Sequence, residues 1–149
     1  MLSSEMIRTL EKQRLGFTAT VSADGRPNLS PKGTFVVIDD KTIAFGEIRS
    51  PRTLVNLRAN PRVEVNFVDP LSRKGFRAKG HATIAASDTT LYREHIGRFD
   101  RWGDLAKRIR HIVLISVDEA SPVTTPAYDL GATEADLRNQ WASTLLSED

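Results

Sequence analysis

The stretch Gly25-Arg26-Pro27-Asn28-Leu29-Ser30-Pro31-Lys32-Gly33-Thr34 decides the fold. Asp24-Gly25 closes a hairpin turn, because glycine tolerates the positive backbone angle such a turn demands. The strand it launches, expected over residues 27–38, puts Asn28, Ser30, Lys32 and Thr34 on one face by the period of two. One ammonium flanked by hydroxyl donors is a face suited to an anion. Pro27 and Pro31 cannot donate to a ladder, so the strand lies at a sheet edge, or is bulged, over its first half. Just upstream, Leu15, Phe17, Ala19 and Val21 alternate with Gly16, Thr18, Thr20 and Ser22, which reads as a half-buried strand.

A second anion signature follows in Arg49-Ser50-Pro51-Arg52-Thr53. Ser50 reads as an N-cap and Pro51 as the first helical residue, while Arg52 and Thr53 place a guanidinium and a hydroxyl in the first turn. The helix buries Leu54 and Leu57 and stops at Asn60-Pro61. A phosphate monoester carries close to two charges, which Lys32, Arg52 and the helix terminus would roughly neutralise.

Residues 42–48 form a short apolar strand buried on both faces, in which Gly46 admits a close neighbour. Val63, Val65 and Phe67 mark the next strand. After the Asp69-Pro70 turn, Phe76, Ala78, Gly80, Ala82 and Ile84 alternate with the basic row Arg77, Lys79 and His81, with Arg73 just before it. Residues 87–109 change to helical period, with Tyr92, Ile96 and Phe99 on one face, and Gly97 and Gly103 suggest a break into two pieces. Residues 111–117 suit a central strand ended by Ser121-Pro122. A final helix starts at the cap Thr133 and carries a Leu137, Trp141, Leu145 stripe, and a short first helix, capped by Ser3 or Ser4, turns Ile7 and Leu10 inward.

Composition bounds the function. The 149 residues suit one domain, 1–149, with a real core. With 21 basic and 19 acidic residues the formal charge is +2, too balanced to announce a nucleic-acid binder, and no aromatic interleaves the basic row to stack bases. Cysteine is absent, so disulfides, thiolate nucleophiles and Cys-based zinc sites are excluded. His81, His95 and His111 lack metal-ligand spacing, and no metal is expected. Residues 1–8 carry neither a signal-peptide apolar run nor a membrane span, so a cytoplasmic protein with no membrane partner is expected.

Strands outnumber helices and hairpins connect them, which favours an antiparallel barrel with peripheral helices over a doubly wound sheet. Taken with Asn56-Leu57-Arg58-Ala59-Asn60-Pro61-Arg62-Val63, the two anion signatures resemble the pyridoxamine 5'-phosphate oxidase-like family over residues 6–141. The resemblance implies a mainly β, antiparallel split β-barrel that binds FMN at a homodimer interface. It implies that Ser30, Lys32, Gly33 and Thr34, with Ser50, Arg52 and Thr53, serve the cofactor, and that Phe45, Gly46, Glu47 and Ile48 run along the isoalloxazine ring. It also puts Arg49 near the phosphate. Glu47 itself reads as a surface carboxylate, and Asn56 either as a position near the ligand or as an ordinary helix-surface residue.

A flavin carries redox chemistry without a catalytic triad, so the catalytic residues stay unassigned. The resemblance implies an FMN-dependent oxidoreductase of unassigned substrate. The alternatives are a non-catalytic flavin or small-ligand carrier on the same fold and a weak nucleic-acid binder. Pyridoxine-phosphate oxidases of the family end in an arginine- and proline-rich tail that grips the substrate. The segment from Trp141 onward has no such composition, which makes vitamin B6 chemistry unexpected.

Overall fold

The computed structural model describes residues 1–148. Seven strands form one sheet: β1 Gly16–Val21, β2 Pro27–Lys32, β3 Phe35–Asp39, β4 Thr42–Glu47, β5 Arg62–Val68, β6 Gly75–Ala86 and β7 His111–Val123. Their order is β2-β1-β5-β6-β7-β4-β3, and every paired neighbour is antiparallel. The strand expected over residues 27–38 is therefore two strands on opposite edges of the sheet. Only Gly33 and Thr34 separate them, so the sheet must curl until its edges meet. This is a split β-barrel. Thr34 fastens the junction: its hydroxyl donates to the Gly46 carbonyl at 2.8 Å and accepts the Gly46 N–H at 3.1 Å.

Four α-helices surround the sheet: α1 Ser4–Gln13, α2 Pro51–Ala59, α3 Thr90–His95 and α4 Glu134–Leu145. None of the described helices is long and apolar enough to cross a membrane. A 3-10 stretch, Ile96–Arg108, follows α3 and kinks at Gly103, whose φ of 56° suits glycine. The expected break thus falls at Gly103, and α3 gives way to the 3-10 stretch one residue before Gly97. Inside the barrel, Phe35 meets Phe67 edge to face with ring centroids 4.8 Å apart, and Phe67 stacks on Phe76 at 5.1 Å. Beneath the 3-10 stretch, Phe99, Ile109, Ile112 and Ala44 make a second apolar cluster.

Strand β7 runs past Pro122 to Val123, beyond the stop expected there. β4 pairs β7 only as far as Ser116. The Val117 N–H still donates to the Lys41 carbonyl at 2.8 Å; beyond it β7 is paired with β6 alone, and a proline is tolerated where one side of a strand is free.

The β1–β2 hairpin is turned inside out. In register, Phe17 faces Pro31, Ala19 faces Leu29 and Val21 faces Pro27, so one face is wholly apolar. That face is the exposed one, with Phe17 at 41% and Leu29 at 66% exposure, whereas Thr18 and Thr20 are buried. The alternation is indeed half-buried, but the polar half points inward. Gly16 explains part of this, because a Cβ there would lie 2.6 Å from the Phe35 ring and 2.7 Å from that of Phe67. Backbone alone fits beside those rings.

Candidate functional site

The elements that meet where the barrel closes are the end of β2, the start of β3, the end of β4 and the start of α2. Between them lies a cleft of about 250 Å³ lined by Lys32, Gly33, Thr34, Gly46, Glu47, Ile48, Arg49 and Ser50. Trp102 and Leu105 of the 3-10 stretch form its remaining wall. Lys32, Gly33 and Thr34 of the first sequence signature thus lie beside Arg49 and Ser50 of the second, whereas Arg52 and Thr53 do not line the cleft. Trp102 and Leu105 carry no sequence signal, because only the kink at Gly103 brings that stretch over the cleft. Arg14 braces Trp102 from behind: its guanidinium lies 5.8 Å from the ring centroid and donates to the Phe35 carbonyl at 3.0 Å. Burial, then the nearby Arg101, lowers the pKa of Arg14.

Lys32 and Glu47 define the inner end. The Lys32 Nζ lies 3.0 Å from Glu47 Oε2, and the two residues keep only 6% and 4% exposure. Glu47 is therefore no surface carboxylate. Its Oε1 also accepts the N–H of Ser50. Both ends of this pair are held by sheet backbone, and the lysine is already neutralised before any ligand arrives. Among the ionisable lining residues, Lys32 and Arg49 against Glu47 leave a net +1.

At the outer end, Ser50 occupies the N-cap position of α2, but its side chain makes no capping bond. Pro51 opens the helix as expected. Arg49 and Arg52 are exposed, while Thr53 is buried with a hydroxyl that has no partner among the described residues. An unpaired buried hydroxyl and two solvated guanidiniums at a helix start form a donor set that fits a phosphate. Of the other expected positions, Ser30 is half-buried on β2. Phe45 is fully buried, 5.2 Å from Phe35 between centroids, so its ring belongs to the core and not to the cleft.

Asn56 is buried rather than on a helix surface, and its Nδ2 donates to Thr20 Oγ1 at 3.0 Å. This bond ties α2 to the polar inward face of β1. The hydroxyl of Thr18, two residues along, is buried without a partner among the described residues.

Two members of the basic row, Arg77 and His81, stand beside carboxylates. Arg77 lies 3.9 Å from Glu64, and His81 Nδ1 lies 2.6 Å from Asp118. Arg73 sits in the β5–β6 turn at φ 58°, stacked 3.6 Å from the Trp141 centroid. A larger groove, about 480 Å³, lies by Arg62, Glu64, Lys79, His81, Asp118 and Glu119, where opposite charges intermix. It has neither a helix start nor an uncommitted buried donor, and the smaller cleft carries the more directed chemistry.

A family model described as Pyridoxamine 5'-phosphate oxidase matches residues 2–127. No curated protein matches the chain. Among solved structures, HupZ of Group A Streptococcus is 27% identical with a TM-score of 0.68, the match covering 84% of this chain and 99% of that one. HutZ, the heme storage protein from Vibrio cholerae, is 21% identical with a TM-score of 0.67, covering 83% and 94%. An FMN-binding protein from Syntrophomonas wolfei is 18% identical with a TM-score of 0.63, covering 81% and 90%. The latter two likenesses concern the fold.

Proposed function

The chain belongs to the pyridoxamine 5'-phosphate oxidase family, and from that premise we propose that it is an FMN-dependent oxidoreductase working as a homodimer. The observation that carries the reading is the donor set at the start of α2: Ser50 without a capping bond, the unpartnered Thr53 hydroxyl and the exposed Arg49 and Arg52. These residues would hold the phosphate, and the cleft behind them, walled by Gly46, Ile48 and Trp102, would receive the ring. Bound FMN supplies hydride and single-electron chemistry. The chain's own part is to bind, orient and shield. The apolar outer face of the β1–β2 hairpin supports the dimer, since a contiguous exposed apolar face is better buried against a twin.

Titration with FMN and riboflavin, followed by quenching of flavin fluorescence, tests the assignment. FMN is expected to bind at least tenfold tighter; equal affinities would remove the phosphate site. A second reading, a non-catalytic flavin or small-ligand carrier, is favoured by Glu47, the one carboxylate among the described residues lining the cleft, being committed to Lys32. Anaerobic reduction of the loaded protein by a reduced nicotinamide or deazaflavin separates the two. A Soret band after haemin titration, without flavin binding, would move the ligand to a tetrapyrrole.

A further inference from the structure

Glu47 is bound by its own protein in the way an anionic ligand is bound. Its carboxylate takes a buried ammonium from β2 and a backbone N–H at the residue that leads into α2, and it does so inside the cleft. Charge-assisted bonds from lysine and from the amides ahead of a helix are the contacts that hold phosphates and carboxylates. A second anion at the same ammonium would have to share it with Glu47 in a poorly solvated place, where two like charges strongly disfavour each other.

We propose that Glu47 is a specificity-determining residue that fills the place of a ligand anion at Lys32, so that the inner end of the cleft admits uncharged groups and rejects phosphate- or carboxylate-bearing ones. This rests on the cleft being the ligand site and adds a substrate class to that reading. The cofactor's phosphate is then left to the outer donors at residues 49–53. A substrate that brings its own phosphate finds no second anion site beside it.

The probe is inorganic phosphate, so the test runs without flavin. Phosphate affinity is measured by calorimetry, together with the rise in Tm that phosphate produces. Glu47→Gln is expected to bind phosphate at least tenfold tighter than the parent, because it frees the Lys32 charge. Lys32→Met/Glu47→Met removes both charges and is expected to return to the parent affinity. Replacing a buried ion pair by apolar side chains of similar volume is often neutral, so this variant is expected to fold. No tightening in Glu47→Gln, or equal tightening in the double variant, overturns the proposal. If Glu47→Gln is too unstable for calorimetry, its Tm must rise more steeply with phosphate than that of the parent. A variant that phosphate fails to stabilise also counts against the proposal. Tightening in a protein that binds no FMN upholds the role of Glu47 and removes the flavin reading, and FMN binding without tightening does the reverse.

Discussion

Asn56 on α2 and Thr20 on β1 are joined by a buried 3.0 Å hydrogen bond across 36 residues of sequence. It is the polar contact that seats the helix of the candidate site on the barrel. Asn56→Ala leaves the Thr20 hydroxyl buried without its donor, and should cost about 1–3 kcal/mol. Thr20→Val/Asn56→Leu removes both polar groups and should cost less than the single change. Urea denaturation of the three proteins measures both differences.

Arg52 is exposed at the first turn of α2, so its contribution to phosphate binding is partly screened. Arg52→Ala should weaken FMN by about tenfold, the lower end for a charge-assisted contact, and leave riboflavin unchanged. Raising the salt concentration should shrink the difference.

Sedimentation at micromolar concentration should give a dimer for the parent protein. Phe17 and Leu29 lie on the exposed apolar face of the β1–β2 hairpin and contribute nothing to the barrel interior. Phe17→Glu/Leu29→Glu should therefore yield a folded monomer. A dimer that survives this change would place the interface elsewhere.

The final helix is latched by charge. Arg138 Nη2 lies 2.7 Å from Asp69 Oδ2 and 3.0 Å from Glu134 Oε1. Burial pushes the Asp69 carboxyl up, but the Leu71 N–H, the Ser72 hydroxyl and the Arg138 guanidinium together hold it below its ordinary value. A depressed folded pKa contributes stability that is present above the unfolded value, about 3.9, and is lost as pH falls through the folded one. The emission of Trp141, which lies under Arg73, should therefore change as pH drops below about 4. Asp69→Asn should remove that transition.

A Cβ at Gly46 would collide with the Cδ1 of Ile109 and sit 2.9 Å from its Cγ1. Gly46→Ala should cost about 1–3 kcal/mol by overpacking. Adding Ile109→Val deletes Cδ1 and should recover part of it, as read from thermal unfolding of the single and double variants.

Much of the frame was legible because it rests on local signals. Proline at 51 and Asn60-Pro61 bound α2, and Val63, Val65 and Phe67 mark the buried face of β5. Parts of both anion signatures line one cleft, Lys32, Gly33 and Thr34 from the first and Arg49 and Ser50 from the second. Other features depend on what stands opposite. Alternation in β1 says that its faces differ, but the rings of Phe35 and Phe67 above Gly16 and the Asn56 amide at Thr20 decide which face is inside. Lys32 looks free until the fold brings Glu47 to it, and Pro122 looks like a strand end until β4 is seen to stop short of it. Of the expected apolar stripe, Leu137 is buried and Trp141 lies under Arg73, but Leu145 is 51% exposed, and Asp69 adds a charged hold on the helix through Arg138.

The two prolines of β2 also limit what can pair with the open edge of the sheet. Ser22 N–H bonds the Arg26 carbonyl at 2.9 Å, so by alternation residues 27, 29 and 31 turn their backbone groups away from β1, toward the open edge. Two of those three positions have no N–H to offer. A neighbouring molecule can cover the apolar face but cannot zip onto the rim as an eighth strand. Whatever covers the apolar face, these prolines guard this rim against fibrous, open-ended stacking.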